Sequence, residues 1–327
     1  MSCLRGFLFS ANLRIAIELF RTIPNSRTYE GKEVTMLEVI NLSKRYKGND
    51  SFSLKDVNFS VGKGEIVGLV GKNGAGKTTL MKMIAKSQKP TEGIVKYGGQ
   101  DIFSTDNLLE PFGIMIGAVF YPYLSAEDNL RFYLKLHGKS KYVSNIKPTL
   151  QLVDLWNKRN RKPKDFSFGM KQRLALAICM VDEPEFMILD EPFIGLDPDG
   201  MQALISVLKK WANNRNTSIL ISSHQLAELE EICGRYLFLE AGTLKQEISG
   251  QNQDIIVITL MRPIDDYEDF AKMHPEVISA SDDGRILSVN TSKGSLNNVL
   301  SELTITCGVQ SINKKQQLNQ LFGKETR

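Results

Sequence analysis

Two short segments of the chain carry residue types suited to phosphate and metal chemistry. The first is Gly71-Lys72-Asn73-Gly74-Ala75-Gly76-Lys77-Thr78-Thr79, which fits the pattern G-x-x-x-x-G-K-[ST]. Its glycines let the backbone wrap tightly, with successive N–H groups turned inward onto an anion. A helix opening directly from such a loop adds its positive N-terminal end. Lys77 then supplies a point charge to the β- and γ-phosphates of a nucleoside triphosphate, and the Thr78 hydroxyl ligates Mg²⁺. The second segment is Phe186-Met187-Ile188-Leu189-Asp190-Glu191-Pro192. An apolar strand that ends in two adjacent acids is costly unless those acids have work at its carboxyl end, where open α/β sheets bind ligands. There Asp190 would hold Mg²⁺, directly or through water, and Glu191 would polarise the attacking water.

This chemistry needs a strand before the loop, a helix after it, and a sheet that brings the acids alongside. The sequence supplies each. EIVGLV reads as a strand running into the glycine loop, and residues 77–85 read as the helix leaving it. LEVINL and VNFSV are further short strands. FMILD and SILISS are near-continuous apolar strands of the kind that suits a parallel sheet covered on both faces. Between them and the loop, residues 125–180 read as mostly helical, with Ser125 as N-cap before AEDNLRFYLKLHG. Residues 139–164 are rich in Lys and Arg and read as a solvated helical face and loop. Helices are expected over 199–213 and 225–232.

The character changes near Ser249. GQNQD reads as a polar linker, followed by a strand (IIVITL), a helix (DYEDFAKM), and a hairpin of VISAS and RILSV about an Asp283-Gly284 turn. Residues 295–304 and 314–322 read as helical. At the other end, residues 1–35 read as a disordered or loosely helical extension, either a family-specific appendage or the product of an upstream start. Arg5, Arg14 and Glu18 interrupt its apolar stretch, so it makes neither a spanning helix nor a good signal peptide.

The chain has 327 residues, 42% hydrophobic and 24% charged, which excludes collagen-like, disordered and disulfide-scaffold classes. Its length implies about two domains. Lys and Arg number 41 against 37 Asp and Glu, so the net charge of +4 leaves no nucleic-acid footprint. Cys3, Cys179, Cys233 and Cys307 are scattered, with no CxxC pair, which points to a reducing compartment and no zinc site.

With both segments in place, the chain resembles the ATP-binding cassette proteins, the nucleotide-binding subunits of ABC transporters, over about residues 37–245. Phe166-Ser167-Phe168-Gly169-Met170, followed by Lys171-Gln172-Arg173, resembles the signature motif, usually L-S-G-G-Q. Ser167 and Gly169 keep the family type and would act on the γ-phosphate held by the opposite subunit; Phe168 and Met170 depart from it. Ile194-Gly195-Leu196-Asp197-Pro198 resembles the D-loop of the dimer interface. His224 falls where the family has its switch histidine, and Tyr46 where an aromatic stacks on adenine. Counting back from Pro122 puts Ile116 at the family's glutamine-loop position, with no ligand for Mg²⁺.

The resemblance implies an α/β fold. Its P-loop NTPase core at 36–248 has a mixed sheet and an inserted helical subdomain at about 120–180, and a small α+β module follows at 249–327. It implies ATP and Mg²⁺ as the bound groups and ATP hydrolysis coupled to transport. The partners would be a separate integral-membrane permease and a second cassette, as a homodimer or a pair, but no nucleic acid. The place would be the cytoplasmic side of the cell membrane, held peripherally. The single cassette with a small C-terminal module resembles exporter cassettes for drugs, peptides or bacteriocin-like substrates. The alternative is a soluble ATPase of the same superfamily without a transport role.

Overall fold

The structure, a computed structural model, describes residues 35–224, 226–249, 255–291 and 296–314. It forms two compact units that divide between Ile248 and Ser249.

The first unit contains two sheets. β1 (Thr35–Lys44), β2 (Leu54–Gly62), β4 (Glu92–Tyr97) and β5 (Gln100–Asp101) form an antiparallel sheet in the order β2-β1-β4-β5. β3 (Ile66–Val70), β6 (Phe112–Met115), β7 (Phe186–Asp190), β8 (Ser218–Ser222), β9 (Arg235–Glu240) and β10 (Thr243–Ser249) form the other, in the order β10-β9-β3-β8-β7-β6. The ladders from β9 through β3, β8 and β7 to β6 are all parallel. Every residue of β3 and β8 is buried, which is why IVGLV and SILIS carry no alternation of apolar and polar residues.

Helix α1 (Lys77–Ile84) turns Leu80, Met81, Met83 and Ile84 into a core that also takes Leu37, Val39 and Val95 from the antiparallel sheet and Phe186 and Ile188 from β7. The phosphate loop is therefore anchored at both ends, by a buried strand and by a buried helix.

Between β6 and β7 lie α2 (Ala126–Leu136), α3 (Ile146–Leu152) and α4 (Phe168–Met180). Ser125 caps α2 as expected, its hydroxyl accepting from the Asp128 N–H at 3.1 Å. A half-buried ion pair ties this helical segment to the strands. Lys139 Nζ donates to Asp182 Oδ2 at 2.5 Å and to the Glu110 carbonyl, just before β6, at 2.6 Å. Helices α5 (Pro198–Arg215) and α6 (Leu226–Ile232) follow β7 and β8.

The second unit runs β11 (Ile255–Leu260), α7 (Tyr267–Met273), β12 (Val277–Ala280), β13 (Ile286–Asn290), α8 (Leu296–Thr306) and β14 (Val309–Lys314). Its antiparallel sheet has the order β12-β13-β11-β14, the split βαβ arrangement. Phe270, Val299 and Leu303 from the two helices close a core on Ile256, Ile258, Leu260, Leu287 and Val289. The Asp283-Gly284 turn is present: Asp283 Oδ1 accepts from the Ser281 hydroxyl at 2.5 Å and the Arg285 N–H at 3.2 Å, with Gly284 at φ +64°. Strand β14 was not foreseen, and residues 315–322 of the expected last helix lie outside the described residues.

Candidate active site

The loop after β3 is shaped by close approach. A Cβ on Gly71 would come within 2.3 Å of the Leu239 carbonyl oxygen on β9. Gly76 enters α1 at φ +108°, where a Cβ would meet Leu54 and Ser53. Only glycine satisfies both demands at that position. Lys77, the first residue of α1, reaches back over the loop: its ammonium donates to the Gly71 carbonyl at 2.5 Å and the Lys72 carbonyl at 3.3 Å. Burial pushes the Lys77 pKa down, and the carboxylates of Glu191 and Asp190 act against that.

Those carboxylates arrive on β7. The register that pairs Asp190 with Ser222 on β8 sets the rest of the site. Ser222, fully buried, donates its hydroxyl to Asp190 Oδ1 at 2.6 Å. The other oxygen, Oδ2, accepts from the Thr78 hydroxyl at 2.9 Å. Glu191 follows at φ +55°, a left-handed backbone that a non-glycine residue holds only when its surroundings enforce it. Its N–H is held by both the carbonyl and the hydroxyl of Ser222, at 3.1 and 3.2 Å. The turn aims the carboxylate at His224, whose Nδ1 lies 2.8 Å from Glu191 Oε2 and whose N–H donates to the same oxygen at 3.2 Å.

The open cleft measures about 650 Å³ and includes Lys72, Asn73, Gly74, Gly76, Lys77, Thr78, Thr79, Asp190 and Glu191 in its lining. A hydroxyl and a carboxylate side by side are hard oxygen donors, and they fit Mg²⁺. A glycine-rich loop bearing an inward ammonium fits a polyphosphate.

The structure thus gathers Lys77, Thr78, Asp190, Glu191 and His224. It leaves others apart. Ser167 caps α4, accepting from the Met170 N–H at 3.3 Å, and Gly169 lies in its first turn; neither lines the cleft. Asp197 caps α5, accepting from the Gly200 N–H at 2.9 Å. Tyr46 donates to Gln88 Oε1 at 2.9 Å and lies 3.5 Å from the Thr79 hydroxyl. Ile116 packs against the hydrophobic core, not into the cleft, and the next residue, Gly117, turns at φ +75°. Sequence reasoning missed Ser222, for which the Ser222-Ser223 pair before His224 was the available signal, and Phe52 in the cleft wall.

The family model described as ABC transporter matches residues 54–194. The chain is 38% identical over 216 residues to the bacitracin transport ATP-binding protein of Enterococcus faecalis, covering 65% of this chain and 69% of that one. It is 38% identical over 217 residues to the lantibiotic transport ATP-binding protein of Streptococcus pyogenes, covering 66% of this chain and 92% of that one. Among solved structures, the ATP binding subunit of an ABC transporter superposes with a TM-score of 0.61 at 28% identity, over 83% of this chain and all of that one. A dimeric ATP-binding cassette in a post-hydrolysis state bound to ADP and Pi gives 0.60 at 25% identity, over 65% of this chain and 98% of that one. On its site geometry and these likenesses together, the chain belongs to the ABC transporter family as one of its ATP-binding, ATP-hydrolysing subunits.

Proposed function

We propose that this ATPase drives a separate membrane permease of the exporter kind, working in a pair of cassettes at the cytoplasmic face of the membrane. The observation that carries the catalytic part is the Thr78–Asp190–Ser222–Glu191–His224 chain of contacts beside the phosphate loop. The exporter reading is supported by relatives named for bacitracin and lantibiotic transport. The pairing is supported by the dimeric cassette among the structural neighbours. Among the described residues no helix is long and apolar enough to cross a membrane.

In this reading Lys77 exchanges its carbonyl partners for phosphate oxygens of ATP and stabilises their charge. Thr78 and Asp190 would hold Mg²⁺, which would screen the same charge when bound. Ser222 keeps the Asp190 carboxylate turned toward Thr78. Glu191 orients a water and takes its proton; His224 fixes the direction of that carboxylate. Ser167, Gly169 and Asp197 act across the cassette pair, on the nucleotide held by the partner.

The test is Glu191→Gln. It keeps shape and hydrogen bonding but removes the base, so turnover should fall by about 10² to 10⁴ while ATP still binds. The ATP-bound protein should then elute as a dimer in size-exclusion chromatography. Wild-type turnover would sink the role of Glu191. Recovery of a multi-span membrane protein with the tagged chain from its native membranes tests the permease; its absence from such material would count against the transport reading.

A further inference from the structure

A loop that turns its N–H groups onto an anion leaves its carbonyls to find partners on the outer side. Lys77 Nζ holds the carbonyls of Gly71 and Lys72, the latter shared with the Ala75 N–H at 3.1 Å. The Leu80 N–H holds that of Gly76 at 2.9 Å. These ties come from the loop itself and from α1, the helix it opens. A further tie comes from elsewhere in the fold. The Ala75 carbonyl accepts from the Gly242 N–H at 3.1 Å, in the two-residue turn that joins β9 to β10.

That turn is itself closely held. Ala241 and Gly242 stand at φ +45° and +78°, the pair of positive values that a type I′ turn requires. The first of these positions normally takes Asn, Asp or Gly, so an alanine there is enforced by its surroundings. The Gly242 carbonyl accepts from the Lys55 N–H at 2.8 Å, and a Cβ on Gly242 would stand 2.6 Å from the Ser53 carbonyl oxygen. Just before the turn, the Leu239 carbonyl oxygen closes on Gly71. The same hairpin therefore meets the phosphate loop twice, at its first residue and at Ala75.

We propose that the Ala241-Gly242 turn is a positioning element for polyphosphate binding, holding the loop in its anion-binding shape once Lys77 has left the loop carbonyls. The inference rests on the reading of this cleft as the nucleotide site. In the structure Lys77 braces the loop through Gly71 and Lys72. In the bound protein the same ammonium pairs with phosphate oxygens, and those two ties are lost. The Gly242–Ala75 bond draws on no group that the phosphates take, so it persists and carries the bracing alone.

The experiment measures equilibrium binding of ATP and of inorganic tripolyphosphate, each with Mg²⁺, to the full chain, beside steady-state kinetics. In Gly242→Ala the new Cβ must displace Ser53 or the turn, which draws the N–H away from Ala75. Both probes should weaken alike, by about tenfold or more, and KM should rise with kcat little changed, as for a contact made equally in the ground and transition states. Leu220→Ala, a core cavity in the same unit, should lower the melting temperature and leave both affinities as they are. Wild-type affinities in Gly242→Ala overturn the proposal. So does a loss confined to ATP, a fall in kcat at unchanged KM, or an equal loss of affinity in Leu220→Ala. Hydrogen exchange on the wild-type chain needs no variant: the Gly242 amide should be at least as protected with Mg²⁺ and ADP as without them. Faster exchange with ADP would show that the hairpin lets go, and would also overturn the proposal. Lys77→Ala separates the two levels. If it weakens neither probe, the cleft is not the phosphate site and the underlying reading fails. If it weakens both while Gly242→Ala weakens neither, only the brace is wrong.

Discussion

At the scale of single residues, Ser222 does more than its place in a buried strand suggests. One hydroxyl serves two acids: it donates to Asp190 and accepts from the Glu191 N–H. Ser222→Ala leaves the strand apolar and full but frees Asp190 Oδ1. The expected result is a raised Mg²⁺ half-activation concentration and turnover reduced by about tenfold, with stability lowered by about 1–2 kcal/mol for the lost charge-assisted bond. A Mg²⁺ titration of the ATPase rate beside a urea melt checks it. Unchanged Mg²⁺ dependence would show that Asp190 needs no such support. The contrast with Lys77 and Glu191 is instructive. Those two were legible because their neighbours in sequence define the chemistry. Ser222 and Phe52 were not, because their places come from the β7–β8 register and from packing on Gly76. Ile116, where the family resemblance places a glutamine, was expected to offer no ligand, and its side chain packs against the core outside the cleft.

At the scale of elements, the signature segment and the turn after Glu191 meet through two glycines. A Cβ on Gly169 would lie 2.9 Å from the Gly195 Cα, and one on Gly195 would lie 2.3 Å from the Gly169 Cα. Gly195 also sits at φ +81°. The start of α4 and the segment leading to α5 are thus packed backbone on backbone, four residues from Glu191. Gly195→Ala should force them apart and lower turnover by at least about tenfold with the affinity for ATP little changed, since neither segment lines the cleft. Steady-state kinetics beside equilibrium titration separates the two effects; full activity would show that the contact carries no positional demand. The strands and helices around this contact were readable from apolar runs and from caps such as Ser125. That the two motif glycines touch was not, because contact across more than twenty residues is a property of the fold.

At the scale of the whole molecule, each unit closes a core of its own. Only the first carries the phosphate loop, so a nucleotide stabilises that unit directly. At about a hundred times its dissociation constant, ADP with Mg²⁺ should add about 2.7 kcal/mol there. In calorimetry of the full chain, the ligand should raise the transition that Leu220→Ala lowers. It should leave in place the transition that Leu303→Ala lowers, Leu303 being fully buried in the second core. A ligand shift of the Leu303-sensitive transition alone would place the nucleotide elsewhere. The first unit was largely readable, because a buried parallel sheet is written in continuous apolar runs. The second was readable except for its last strand, where VQSINK alternates weakly and a neighbouring polar stretch resembled a helix.

The glycine contact also bears on inheritance. Neither position accepts a side chain while the other backbone stays where it is, so a substitution at either must displace the partner segment. The two motifs, separate in the gene, are bound into one heritable unit. The neighbouring Phe168 is largely exposed and Met170 is buried, so neither position meets the backbone-on-backbone demand that the two glycines meet.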